Sequence, residues 1–321
     1  MKKMMWLLTC TLTFVLVFSG SALIKLKFPT FSNPLQVDWN ESVGTIYTDL
    51  VYGEEELNNY DLYVPADQTK DSYGLVVYLH AGGFTGGDKS EDAEMLKYFA
   101  SKGYVAAGVN YSLRTDENTA NLYQMSEEIK QSIPVIQEKA AELGYHLDQM
   151  AISGGSAGGA LALLYAYRDA DTSPIPVKMV FEGVGPPSFE PSLWLGIDDS
   201  DNPYESNEAA EAGAGFASIM TGEDITVDMM RNGEYKKYVD EISPYTHITE
   251  NSVPTLAAYG TYDKVVPFGL TRNFLKALED NHVPHDFIEF KRSGHGLQND
   301  RKEAKLYTDK INEYLDKYMP N

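Results

Sequence analysis

The sequence predicts an α/β protein, a mostly parallel sheet covered by helices on both faces. Two observations predict it. Short runs that are apolar throughout, rather than alternating, alternate along the chain with helical patterns, and strands apolar on both sides are strands buried on both sides. The first two strand-like segments do alternate, as expected for an antiparallel hairpin at the sheet's edge.

In chain order, segments 43–52 and 60–64 are β-rich and flank the polar turn 53–59, giving the hairpin. Strand 75–79, a helix near 91–102, strand 104–109 and a helix near 126–143 follow. Ser126 with Glu127 and Glu128 reads as that helix's N-cap and first turn, with the acids matching the helix dipole. Pro134 is expected to kink it. Next come strand 150–152, a helix over 157–167 and strand 177–181. From 185 to 247 the rhythm stops amid prolines, the acids Asp198, Asp199 and Asp201, and an Ala/Gly-rich stretch at 209–215. It resumes with strand 254–259, a helix near 268–281, strand 285–290 and a last helix near 299–319. The segment 185–247 therefore reads as an insertion above the sheet, where lids commonly form.

Ahead of this domain, which begins near residue 43, lie two shorter segments. Met1, Lys2 and Lys3 precede an apolar stretch from Met4 to Phe18 and the small residues Ser19, Gly20, Ser21 and Ala22. That order is the order of a signal peptide. Leu23, Ile24 and Leu26 lengthen the run toward a membrane-spanning one, so residues 1–24 are a signal peptide or an anchor, and 25–42, with Pro29 and Pro34, a tether. The expected location is extracytoplasmic, secreted or tethered, with membrane contact only through this segment. Leu7-Leu8-Thr9-Cys10 superficially resembles a lipoprotein acylation box but sits before the apolar core instead of after it.

Composition excludes several classes. A net charge of −21 repels a phosphate backbone, which argues against nucleic acid as a partner. The single cysteine, Cys10, lies in the leader, so the folded part has neither a disulfide nor a cysteine nucleophile. With 321 residues, 43% of them hydrophobic, a core can form without staples.

The sharpest chemical signal is Gly154-Gly155-Ser156-Ala157-Gly158 between a strand and a helical pattern. A nucleophile presented on so tight a turn requires the flanking positions two residues away to lack side chains. His80-Ala81-Gly82-Gly83, directly after strand 75–79, offers backbone N–H groups to a substrate oxygen; Gly82 and Gly83, with Ala157, are the expected oxyanion hole. The next stretch, Gly86-Gly87-Asp88-Lys89-Ser90, fails as a phosphate loop because Asp88 stands where glycine is needed. A serine needs a base and the base an orienting acid. His295, in the polar loop after the last strand, and Asp263, just after strand 254–259, complete the order Ser156, Asp263, His295. His146, His247, His282 and His285 read as structural. Asp199-Ser200-Asp201-Asn202 does not make a calcium loop, since Pro203 breaks it. No metal or organic cofactor is called for.

At these residues the chain resembles α/β hydrolases of the hormone-sensitive-lipase-like and feruloyl- or acetyl-esterase-like branch. The likeness runs from Tyr60 to the C-terminus and rests on His80-Ala81-Gly82-Gly83-Phe84, Asn110-Tyr111-Ser112-Leu113, Asp148, Gly154 to Gly159, Ser243-Pro244, Asp263 and His295. Ala81 replaces a glycine common in the branch, and Ser112-Leu113-Arg114 replaces its usual Arg-Leu after the tyrosine. The resemblance implies an α/β-hydrolase fold and a serine carboxylesterase acting on a small-molecule ester. Within 185–247, Phe189, Trp194, Leu195, Phe216 and Met220 read as pocket wall and fit small acyl or carbohydrate-linked esters. An exopeptidase or amidase with the same triad is the neighbouring alternative, and a silent hydrolase-like binding protein the more distant one.

Overall fold

A computed structural model describes residues 35–197 and 203–320. The leader, the first part of the tether and the acids between 198 and 201 lie outside the described residues.

Strands β1 (Gly44–Val51) and β2 (Asn59–Pro65) form the antiparallel hairpin. They are followed by β3 (Tyr73–Leu79), helix α1 (Ala93–Ser101), β4 (Val105–Val109), α2 (Leu122–Glu142), β5 (Leu147–Gly155), α3 (Ala157–Leu164) and β6 (Val177–Gly183). Four helices come next: α4 (Pro191–Leu195), α5 (Asn207–Thr221), α6 (Val227–Asn232) and α7 (Lys236–Ile242). The chain then closes with β7 (Thr255–Gly260), α8 (Thr271–Asp280), β8 (His285–Phe290) and α9 (Arg301–Tyr318).

The eight strands form one sheet in the order β1-β2-β4-β3-β5-β6-β7-β8. Pairings from β4 to β8 are parallel and those of β2 with β1 and β4 antiparallel. The architecture is that of an α/β hydrolase. Leu75, Val76, Val77 and Leu79 of β3, together with Val105, Ala106, Ala107 and Val109 of β4, are fully buried, as strands covered on both faces must be. The order also fixes where a site forms. From β3 the chain first steps outward to β4 and then crosses back to β5, so the ends of β3 and β5 diverge around a crevice.

Several expected boundaries differ; β5 spans Leu147–Gly155 rather than 150–152, and two helices change more. Helix α2 starts at Leu122, not near Ser126, because the side chain of Asn121 accepts the N–H of Gln124 at 3.0 Å and caps a turn earlier. Ser126 instead donates back to the Tyr123 carbonyl, and the helix continues through Pro134. Helix α3 is shorter than 157–167. After Leu164 the chain widens into a π turn, Tyr165–Asp169. There the Tyr165 hydroxyl reaches Ser173 Oγ and Tyr167 reaches Thr255 Oγ1 on β7.

Candidate active site

The elbow after β5 is a consequence of its glycines. A Cβ on Gly154 would lie 2.4 Å from the carbonyl carbon of Gly158, and one on Gly158 would lie 2.0 Å from the carbonyl oxygen of Leu79. Only glycine lets β5, α3 and the end of β3 come this close. Between them Ser156 has φ 52° and ψ −118°, a conformation rare for a residue with a side chain. Its N–H is held by the Gly183 carbonyl of β6 at 2.8 Å. The turn thus leaves the hydroxyl at the mouth of α3.

Two loops from the other half of the sheet meet it. His295, beyond β8, places Nε2 2.8 Å from Ser156 Oγ, and its Nδ1 lies 2.8 Å from Asp263 Oδ2, beyond β7. The Asp263 side chain is 1% exposed, and its other oxygen accepts the N–H groups of Val265 and Val266 at 2.8 and 2.9 Å. A carboxylate so held keeps Nδ1 protonated and Nε2 free as an acceptor. Asp300, overlooked in the sequence, fixes the histidine loop. It accepts from Ser293 Oγ at 2.6 Å and from both the backbone N–H and Nε of Arg292. Gly260 lets the two loops touch, since a Cβ there would meet the Gly294 carbonyl oxygen at 2.4 Å.

Facing the elbow, the loop after β3 turns at Gly82 and Gly83, with φ 129° and 61°. A Cβ on Gly82 would overlap the Gly86 carbonyl at 1.9 Å. Among the described residues the N–H groups of Gly82, Gly83 and Ala157 donate to no protein acceptor. Ala157 opens α3, whose first N–H groups are unpaired by construction.

His80 is a support for this loop. Burial pushes its pKa down, its Nδ1 donates to the Ala81 carbonyl at 2.7 Å, and its ring stacks on Tyr111 at 4.3 Å. Tyr111 in turn donates to the His80 carbonyl. Ser112 is gripped by Glu128 of α2 through both its N–H and its hydroxyl, each at 2.7 Å. The other histidines stand apart: His247 and His285 bond to nearby backbone carbonyls.

Above the site, Phe84 of the glycine loop meets Phe189 edge-on at 6.0 Å, Phe189 stacks on Trp194, and Trp194 contacts Phe216 at 5.6 Å. Ser243 links the two ends of this region by accepting the Phe189 N–H and donating to the Val239 carbonyl.

The family model described as BD-FAE matches residues 60–278 of this chain, well over half of it. The chain belongs to the BD-FAE family. The matched stretch includes Gly82, Gly83, Ser156 and Asp263, with His295 beyond it. Among curated relatives, this BD-FAE chain is 24% identical over 242 residues to the protein named Probable carboxylic ester hydrolase LipM of Mycobacterium tuberculosis, covering 72% of the chain but 51% of the relative. It is 27% identical over 210 residues to a kynurenine formamidase of Danio rerio, covering 62% of the chain and 68% of the relative. The chain thus spans about half the length of LipM. A truncated carbohydrate esterase from gut microbiota superposes with TM-score 0.64 at 16% identity, covering 85% of this chain and 99% of the other. That likeness is one of fold.

Proposed function

We propose that this chain is a serine carboxylesterase. The observation that carries the reading is the unbroken relay Ser156 Oγ, His295, Asp263, with 2.8 Å at each step, on a strained elbow beside three free backbone N–H groups. His295 Nε2 takes the proton of Ser156 as its oxygen bonds to the ester carbonyl carbon. The oxyanion is held by the N–H groups of Gly82, Gly83 and Ala157. His295 then gives the proton to the departing alcohol as the C–O bond breaks, leaving an acyl-enzyme. Water, deprotonated by the same histidine, releases the acid and restores Ser156.

The substrates proposed are small acyl or carbohydrate-linked esters, the latter supported by the fold likeness to a carbohydrate esterase. Helices α4 to α7, with Trp194 and Phe216 on them and Phe189 just ahead of α4, serve as the lid and pocket wall. An amidase with the same relay is the second reading, supported by the relative named a formamidase. Location outside the cytoplasm, by export or through the N-terminal segment, is proposed from Lys2, Lys3 and the apolar stretch after them.

Hydrolysis of p-nitrophenyl acetate, butyrate and octanoate by the full chain tests the reading, beside N-formyl anilides for the amidase. Ser156→Ala is expected to lower kcat by about 10⁴-fold or more. Turnover that survives the substitution would sink the assignment of the nucleophile.

A further inference from the structure

Beneath the elbow lies a carboxyl that the relay does not use. Glu182, on β6, is fully buried. Its Oε2 accepts the N–H of Gly185 at 2.7 Å, and its Oε1 has no partner. Tyr259 of β7 donates its hydroxyl to the carbonyl of the same Gly185. One residue is therefore gripped at both its N–H and its C=O.

Gly185 in turn bears on α3. A Cβ there would lie 2.6 Å from the carbonyl carbon of Gly159 and 2.8 Å from the nitrogen of Ala160. A Cβ on Gly159 would lie 3.2 Å from Glu182 Oε2. Between Glu182 and Gly185, Gly183 holds the N–H of Ser156, and Val184 has φ 51°. A β-branched residue takes that conformation only where its surroundings impose it.

We propose that Glu182, held as the neutral carboxylic acid, is a positioning residue that with Tyr259 clamps Gly185 and so fixes both the elbow carrying Ser156 and the root of the α4–α7 segment. The proposal rests on the esterase reading. A neutral carboxyl can accept from Gly185 through one oxygen, whereas a carboxylate would place an unpaired charge in a fully buried site. Among the described residues, four tyrosines have pKa values raised by burial and by its charge: Tyr78 of β3, Tyr167 of the π turn, Tyr259 of β7 and Tyr307 of α9. None is a cation. Burial, opposed by the Gly185 N–H, pushes the Glu182 pKa up to about 8. The folded chain thus keeps a proton that the unfolded chain releases near 4.5. Its contribution to stability falls as pH rises from there to about 8 and levels off above.

The test compares kcat for p-nitrophenyl acetate against pH in the wild type and Glu182→Gln, whose amide keeps the acceptor and cannot ionise. Alongside it, infrared spectroscopy reads the carbonyl stretch of a protonated carboxylic acid. The wild type is expected to lose roughly tenfold in kcat between pH 7 and 9 while that band disappears; E182Q keeps its kcat across the interval and lacks the band from the start. Superimposable profiles, or no acid band at pH 7 that E182Q removes, overturn the clamp. Should E182Q not fold, coincidence of the wild-type band's midpoint with the fall in kcat decides, and separate midpoints reject it. If no ester is cleaved at all, the esterase reading has failed and the band alone judges the clamp.

Discussion

Around the end of β5 the chain is held by backbone: Gly154 and Gly158 let three segments touch, Gly82 folds back on Gly86, and Gly183 secures Ser156. Between β6 and β7 it is held by side chains. There Glu190 Oε1 accepts from the hydroxyls of Tyr204 and Tyr235 at 2.7 and 2.9 Å and from Ser192 Oγ at 3.2 Å, while Trp194 bridges Phe189 and Phe216. The first construction has no slack, since a side chain added at these glycines would meet backbone atoms at about 2 to 3 Å, and backbone cannot rotate away. The second is a set of rotatable groups gathered on one carboxyl. On the proposed reading, geometry for chemistry is thereby separated from geometry for substrate choice, and substitutions in the two regions should fail differently.

Among substitutions that probe this contrast, the largest effect is expected at Gly158. An added methyl would meet the Leu79 carbonyl oxygen at 2.0 Å and that of His80 at 2.6 Å, pushing the loop bearing Gly82 and Gly83 away from the serine. A displacement near 1 Å costs about 10²-fold in rate, so Gly158→Ala should lower kcat at least that much and destabilise the fold by about 1–3 kcal/mol. Gly155→Ala is the internal control. Its Cβ would find only the Tyr78 hydroxyl at 3.8 Å, and near-wild-type activity is expected. Equal losses in both variants, by kcat/KM and urea midpoint, would show that the elbow is not held at its glycines as described.

The same contrast explains what can be read from the sequence. Backbone constraints leave local marks: Gly154 to Gly158 stand together, and the loops bearing Asp263 and His295 each follow an apolar strand. Side-chain constraints leave none. Glu190 lies 14 residues from Tyr204 and 45 from Tyr235, and nothing in the string couples them. The clamp at Glu182 is hidden for the same reason, because Tyr259 reaches it from another strand and a glutamate inside an apolar run signals only burial. Asp300 could have been found, since it follows the histidine loop by a few residues and a buried acid there must hold something. The π turn after α3 has no comparable signal, as Tyr165 and Tyr167 continue an ordinary helical pattern.

Truncation at Glu190 should produce the intermediate effect. Glu190→Ala strips two tyrosine hydroxyls of their acceptor in a partly buried setting, with an expected loss of about 1–3 kcal/mol. Because the loss falls outside the relay, KM should rise several-fold and kcat for acetate esters change little. Hydrogen exchange should quicken within 204–242 and stay slow along β3 and β5. A matching fall in kcat would mean that the two regions are coupled more tightly than their separate construction implies.

The smallest effect tests where α2 begins. Asn121 caps it by accepting from Gln124, and its side chain also lies against Gly222, where a Cβ would come within 2.2 Å of Asn121 Nδ2. Asn121→Ala removes the cap, and Ser126 cannot replace it because its hydroxyl is committed to the Tyr123 carbonyl. A loss of about 1 kcal/mol is expected in denaturant unfolding, with kcat unchanged, since Asn121 contacts Gln124, Met125 and Gly222 and none of Ser156, His295 or Asp263. Ser126→Ala should cost less than half as much. If instead Ser126→Ala were the costlier change, α2 would be capped a turn later, near Ser126, and the first turn from Leu122 would contribute little to stability.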